Sequence, residues 1–156
     1  MQLFFVRGEK MTKFMKTLNN IIRSQAIYRH ARISAADLQP SHYAFVLTIC
    51  ASPGRSQEEL AEQLCINKST VARNLNALEE KGYVSRRSIP NDKRQFSVYP
   101  TEKMTAVLPE IRTVSQEWMQ LLSEDIDEDE LTVFNSVLSR MEEKARVIIE
   151  KELENK

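Results

Sequence analysis

Residues 56–101 read SQEELAEQLCINKSTVARNLNALEEKGYVSRRSIPNDKRQFSVYPT. Ser56 and Glu59 form a capping box: the hydroxyl accepts from the Glu59 amide while the Glu59 carboxylate reaches back to the Ser56 amide. Leu60, Ala61 and Leu64 then mark the apolar side of a short helix, and Cys65 and Ile66 fall in a turn. Asn67 is a favourable N-cap for a second helix. Val71, Leu75 and Leu78, spaced by four and three, draw one buried stripe along it. At about 100° per residue, Ser69, Thr70, Arg73 and Ala77 fall on the opposite face. Small hydroxyls and a methyl around one arginine make a surface that can approach base edges closely. Gly82 is the expected helix terminator.

Beyond Gly82 the period becomes two. Val84, Arg86 and Ser88 share one face of a strand, and Ser85, Arg87 and Ile89 the other. In a second strand Phe96 and Val98 alternate with Ser97 and Tyr99. Between them, Pro90-Asn91-Asp92 is turn chemistry, and Lys93-Arg94 places two cations at the loop tip. Helix, turn, helix, strand, basic loop, strand is the order of a winged helix-turn-helix, which lays one helix in the DNA major groove. A basic tip suits a narrow, negative minor groove or the adjacent phosphates. A solvated basic loop is the plain alternative, weakened by its direct attachment to a helix pair. The expected DNA contacts are Lys68, Ser69, Thr70, Arg73 and Asn74 on the second helix, with Arg86, Arg87, Lys93 and Arg94 on the hairpin.

Over roughly residues 11–150 the chain resembles the MarR family of winged-helix transcription regulators. The resemblance is densest at Leu60–Leu64, at Asn67–Arg73, at Leu78–Val84 and at the wing. The family's wing pattern is Asp-x-Arg, five residues, then Leu-Thr. Here it reads Asp92-Lys93-Arg94, five residues, then Pro100-Thr101, with Pro100 in place of the usual Leu. The resemblance implies that Arg94 enters the minor groove and that Asp92 structures the wing.

The net charge of zero hides an asymmetry. Residues 1–32 carry seven Lys/Arg against one acid, residues 67–103 eight against four, and residues 123–156 five against eleven. The reading head is therefore basic and the far end acidic, so neutrality does not argue against nucleic acid. An acidic tail is also what a solvated helix face looks like. With 156 residues, 42% of them hydrophobic, and three glycines, the chain is expected to be a helix-rich globular domain with extensions. No apolar run approaches the ~18 residues a membrane span needs. Two cysteines without a spacing pattern suit a reducing cytoplasm.

The fold expected is mainly α with a small β-hairpin wing. Residues 37–101 form the winged helix-turn-helix, and residues 11–32 and 102–156 a helical dimerisation region. Residues 1–10 are expected to be a disordered lead-in, with Met11 as an alternative start. Phe14 and Leu18 mark the first helix. Residues 37–41 read as a break with Ser41 as a new N-cap, before a short apolar helix from His42 to Ala51. Thr101 opens a longer helix, which Pro109 is expected to kink or crowd. The last helix carries Leu131, Phe134, Leu138, Met141, Ala145 and Ile148 at alternating spacings of three and four. Together the first and last helices expose more apolar surface than a monomer tolerates, so a homodimer is expected. The family resemblance implies the same pairing. A dimer would set two reading helices about 34 Å apart, one DNA turn, over a near-palindromic operator.

Catalysis finds no support. His30 and His42 are the only histidines, and no nucleophile motif or phosphate-binding glycine loop is present. His30, His42, Cys50 and Cys65 lack metal-ligand spacing, so no metal and no cofactor is expected. Cys50 lies on an apolar face and reads as inert, which leaves Cys65 as the one candidate redox handle. Three readings stand side by side: a dimeric DNA-binding repressor tuned by a small molecule, a winged-helix module meeting an acidic partner, and a thiol-responsive regulator acting through Cys65. The resemblance implies an effector pocket where the dimer helices meet the reading domain, with His30, His42, Tyr43 and Trp118 as candidates. Each is equally an ordinary core or interface residue.

Overall fold

The structure is a computed structural model that describes residues 2–34, 37–89 and 92–154, with side chains described for 12–34, 37–88, 96–149, 151 and 152. Among the described residues six helices and three strands follow one another: α1 (Gln2–Arg32), α2 (His42–Ala51), β1 (Arg55–Ser56), α3 (Gln57–Leu64), α4 (Lys68–Glu80), β2 (Val84–Ile89), β3 (Asp92–Pro100), α5 (Glu102–Ser123) and α6 (Glu128–Glu154). Chain contacts divide them into two compact units, Met1–Trp118 and Met119–Lys156.

The reading head forms where local chemistry says it should. Ser56 Oγ accepts from the Glu59 amide while Glu59 Oε2 accepts from the Ser56 amide, so the capping box at α3 is complete. Asn67 caps α4 by accepting from the Thr70 amide at 2.8 Å. The α4 C-terminus closes with Gly82 at φ +75°: its amide donates to Glu79 and the Tyr83 amide donates back to Leu78. That pair of bonds needs a left-handed residue at Gly82.

Three features depart from the sequence expectation. Helix α1 starts at Gln2, so residues 2–10 continue the helix instead of leading into it. Ser41 sits in helical backbone and makes no side-chain cap. His42, the first residue of α2, instead ties back to the preceding segment: its amide donates to the Gln39 carbonyl at 2.8 Å while its Nδ1 accepts from the Gln39 amide at 3.1 Å. The hairpin gains a third strand, because Arg55 and Ser56 pair antiparallel with Val98 and Ser97 and give the order β1-β3-β2. Pro109 lies inside α5 without dividing it into two elements. Pro100 is also accommodated: it ends β3 opposite Val84, and the Thr101 amide donates to the Tyr83 carbonyl before α5 begins.

The core of the first unit gathers Tyr43, Val46 and Ile49 of α2, Leu60 of α3, and Val71, Leu75 and Leu78 of α4. Tyr83, Val98 and, from α5, Met104 and Ile111 belong to it as well. Burying a Leu, Val or Ile side chain in this way contributes about 1.5–3 kcal/mol each. The three α4 residues therefore anchor the reading helix by one side only. In the second unit, α6 leaves Val133, Phe134, Val137, Met141, Ile148 and Ile149 exposed.

Candidate nucleic-acid interface

The face of α4 opposite its buried stripe is the centre of the site. Val71, Leu75 and Leu78 are fully buried, so Ser69, Arg73 and Asn76 point outward and are exposed. Arg73 makes no hydrogen bond or ion pair with any other described residue, which leaves its five donors available to a ligand. Ser69 Oγ instead donates to the capping Asn67 Oδ1 at 2.8 Å, and Asn74 turns back along its own helix to donate to the Thr70 carbonyl. Thr70 is half-buried. Lys68 is tied to α3: its Nζ lies 2.7 Å from Glu58 Oε1, and that bond pushes its pKa up. Both side chains are at least half exposed, so the pair is worth little and opens readily for a phosphate.

The turn before α4 depends on a left-handed Cys65, φ +53°, whose amide donates to the Glu62 carbonyl. Its thiol is exposed and lies 3.6 Å from that same carbonyl oxygen. Cys50 is half-buried, and burial pushes its thiol pKa up, away from reactivity.

The two arginines of β2 have opposite fates. In β2, Arg87 is exposed and its guanidinium stacks 4.2 Å above the Tyr99 ring. Arg86 faces inward beside Val98 and donates to Asn76 Oδ1 of α4 at 2.6 Å, with Glu79 Oε2 at 3.5 Å. Alternation carried the signal, because Arg86 lies on the same face as the buried Val84. Asp92, Lys93 and Arg94 belong to β3 by backbone, and their side chains fall outside the described residues.

A polar hub that the sequence did not announce ties this head to its neighbours. Tyr83 Oη donates to Asp37 Oδ1 at 2.5 Å, Lys103 Nζ donates to Asp37 Oδ2 at 2.8 Å, and Lys81 Nζ donates to the Asp37 carbonyl. Lys103 first and Tyr83 second hold the Asp37 carboxyl below its ordinary pKa. Burial keeps the Tyr83 hydroxyl protonated well above the usual phenol range, reinforced by Asp37.

The four residues singled out for an effector occupy different surroundings. His30 is exposed. His42 is buried, and burial first, then Lys81, lowers its pKa. Tyr43 is buried near Arg29 and Glu110, and burial raises its pKa. Trp118 packs against Tyr28 at 5.2 Å between ring centroids. No hydrogen bond or ring contact joins any two of the four. Among the described residues, no group of three or more His, Cys, Asp or Glu could hold a metal ion, and no helix is long and apolar enough to cross a membrane.

Known proteins place this geometry. The MarR family model matches residues 38–96, from the hub to the wing. An HTH-type transcriptional regulator of Bacillus subtilis, YybA, is 24% identical over 131 residues, which cover 84% of this chain and 87% of that one. A crystal structure of MarR is 30% identical, superposes with a TM-score of 0.77, and is matched over 88% of this chain and 93% of its own. A MarR family protein from Listeria monocytogenes, solved with a 26mer DNA, has the same fold: TM-score 0.79 at 21% identity, over 88% of this chain and 93% of its own. By motif, by fold and by identity along nearly its whole length, the chain belongs to the MarR family of transcriptional regulators.

Proposed function

We propose that this chain is a homodimeric, sequence-specific DNA-binding repressor that acts in the cytoplasm without enzymatic activity. Helix α4 enters the major groove and the wing reaches the flanking minor groove through Arg94. The observation that carries this reading is the outward face of α4, where Arg73 stands exposed and unpartnered among the described residues above a fully buried stripe. The relative solved with DNA lends the docking geometry its plausibility. Pairing through α1 and α6 accounts for the apolar side chains those helices expose, from Ile22 and Ile27 to Phe134 and Met141. A small-molecule effector would act by changing the spacing of the two reading helices.

A gel shift with a DNA fragment from beside the chain's own gene tests the reading. Two copies of Lys68, Arg87 and Lys93 offer about six phosphate contacts, so affinity should fall about 10³-fold between 50 and 200 mM salt. Binding without sequence preference, or with no salt dependence, would refute it.

A further inference from the structure

Arg86 is a cation of the wing whose guanidinium is held by other side chains of the reading head. Its guanidinium donates to Asn76 Oδ1 at 2.6 Å and lies 3.5 Å from Glu79 Oε2, and its side chain is 22% exposed. Both partners stand on α4, so one side chain bridges the reading helix and the first wing strand. Arg86 also lines a crevice of about 130 Å³ together with Ser56, Gln57, Glu58, Leu75, Phe96 and Val98. Leu75, Leu78, Val84 and Val98 share the hydrophobic core, and the Arg86 contacts add a polar tie between α4 and β2. Arg87 is exposed, whereas the half-buried Arg86 guanidinium is already held by Asn76 and Glu79.

We propose that Arg86, Asn76 and Glu79 form a strut that sets the wing against the reading helix, so that major-groove and minor-groove contacts are made in one register. Arg86 is then a positioning residue for DNA reading and not a DNA contact. The proposal rests on the DNA-reading function above. When the strut is cut, the wing samples other angles, and apparent affinity falls by the fraction of molecules in which it is docked. If that fraction drops to about one-tenth, binding weakens about tenfold.

The sign of one substitution separates strut from contact. Glu79→Ala removes a negative charge from beside the DNA-facing surface. If Arg86 contacted phosphate, losing the carboxylate that competes for it would tighten binding. If Arg86 is a strut, the same change weakens binding.

The full-length chain is used throughout, and the probe is the duplex it selects from a randomised library. Glu79→Ala, Asn76→Ala and Arg86→Lys are compared with it by titration at matched salt, with thermal melts to confirm folding. Repeat selection on each variant then reads sequence preference position by position. Expected is about tenfold weaker binding for Glu79→Ala, with preference lost at the flanking positions under the wing and kept at the central positions under α4. Simple destabilisation would lower the active fraction and leave both preferences alone. Glu79→Ala binding as tightly as the parent or tighter, or with unaltered flank preference, overturns the strut. Failure of the parent chain to select any duplex would overturn the DNA-reading function itself, a result distinct from either.

Discussion

Removing one oxygen from Tyr83 should loosen the joint between the reading head and the segment that precedes it. The ring of Tyr83 is 1% exposed, so Tyr83→Phe keeps its packing and removes only the hydroxyl that donates to Asp37 at 2.5 Å. A hydrogen bond to a charged acceptor contributes roughly 1.5–3 kcal/mol when shielded. The Asp37 side chain, however, is 45% exposed and keeps its bond to Lys103, so solvent screening brings the expected loss to about 1 kcal/mol. For a chain of this size that lowers the melting temperature by roughly 3 °C. The partner is an acid whose pKa is depressed in the folded state. Its contribution is therefore fully present above the unfolded value, about 3.9, and is lost as pH falls through the lower folded value. Urea unfolding of the parent, Tyr83→Phe, Asp37→Ala and the double variant gives the coupling energy. It should be about 1 kcal/mol at pH 7 and shrink below pH 4. Zero coupling at pH 7, or a coupling that grows as Asp37 protonates, would refute this account of the hub.

Arg73→Ala should leave stability within about 0.5 kcal/mol of the parent, yet cost about 1–3 kcal/mol of binding per half-site and relax preference at one base pair. Lys68→Ala should weaken binding evenly across sequences, and binding-site selection on the two variants distinguishes a base reader from a phosphate contact. Phe134→Glu, at a side chain 51% exposed on α6, should convert the dimer to a monomer in sedimentation without lowering helicity, and an unchanged dimer would remove α6 from the interface. Gly82→Ala should destabilise by about 1–2 kcal/mol through backbone strain alone, since its φ is +75° and a Cβ there meets nothing within 4 Å. Gly54→Ala should cost more, because at φ +87° the new methyl also lies 3.1 Å from Tyr99 Oη.

The elements of the reading head were legible because their causes are local. The Ser56–Glu59 box, the Asn67 cap, the Val71-Leu75-Leu78 stripe and the Gly82 terminator each act within about one or two helical turns, so spacing alone reveals them. Strand β1 was not legible: two residues have no period, and Arg55 becomes a strand only because Val98 lies beside it. Nor did composition distinguish Arg86 from Arg87. Both are arginines on a hairpin, and the alternation that put Arg86 on the face of Val84 marked it as inward without naming a partner. Asn76, ten residues earlier in the chain, supplied one. The same holds for Asp37, which meets Tyr83 across 46 residues. Periodicity and caps report what a segment does with its own backbone. Which charged side chains remain for DNA and which are used to hold the head together depends on neighbours distant in sequence, and only the packed chain decides that.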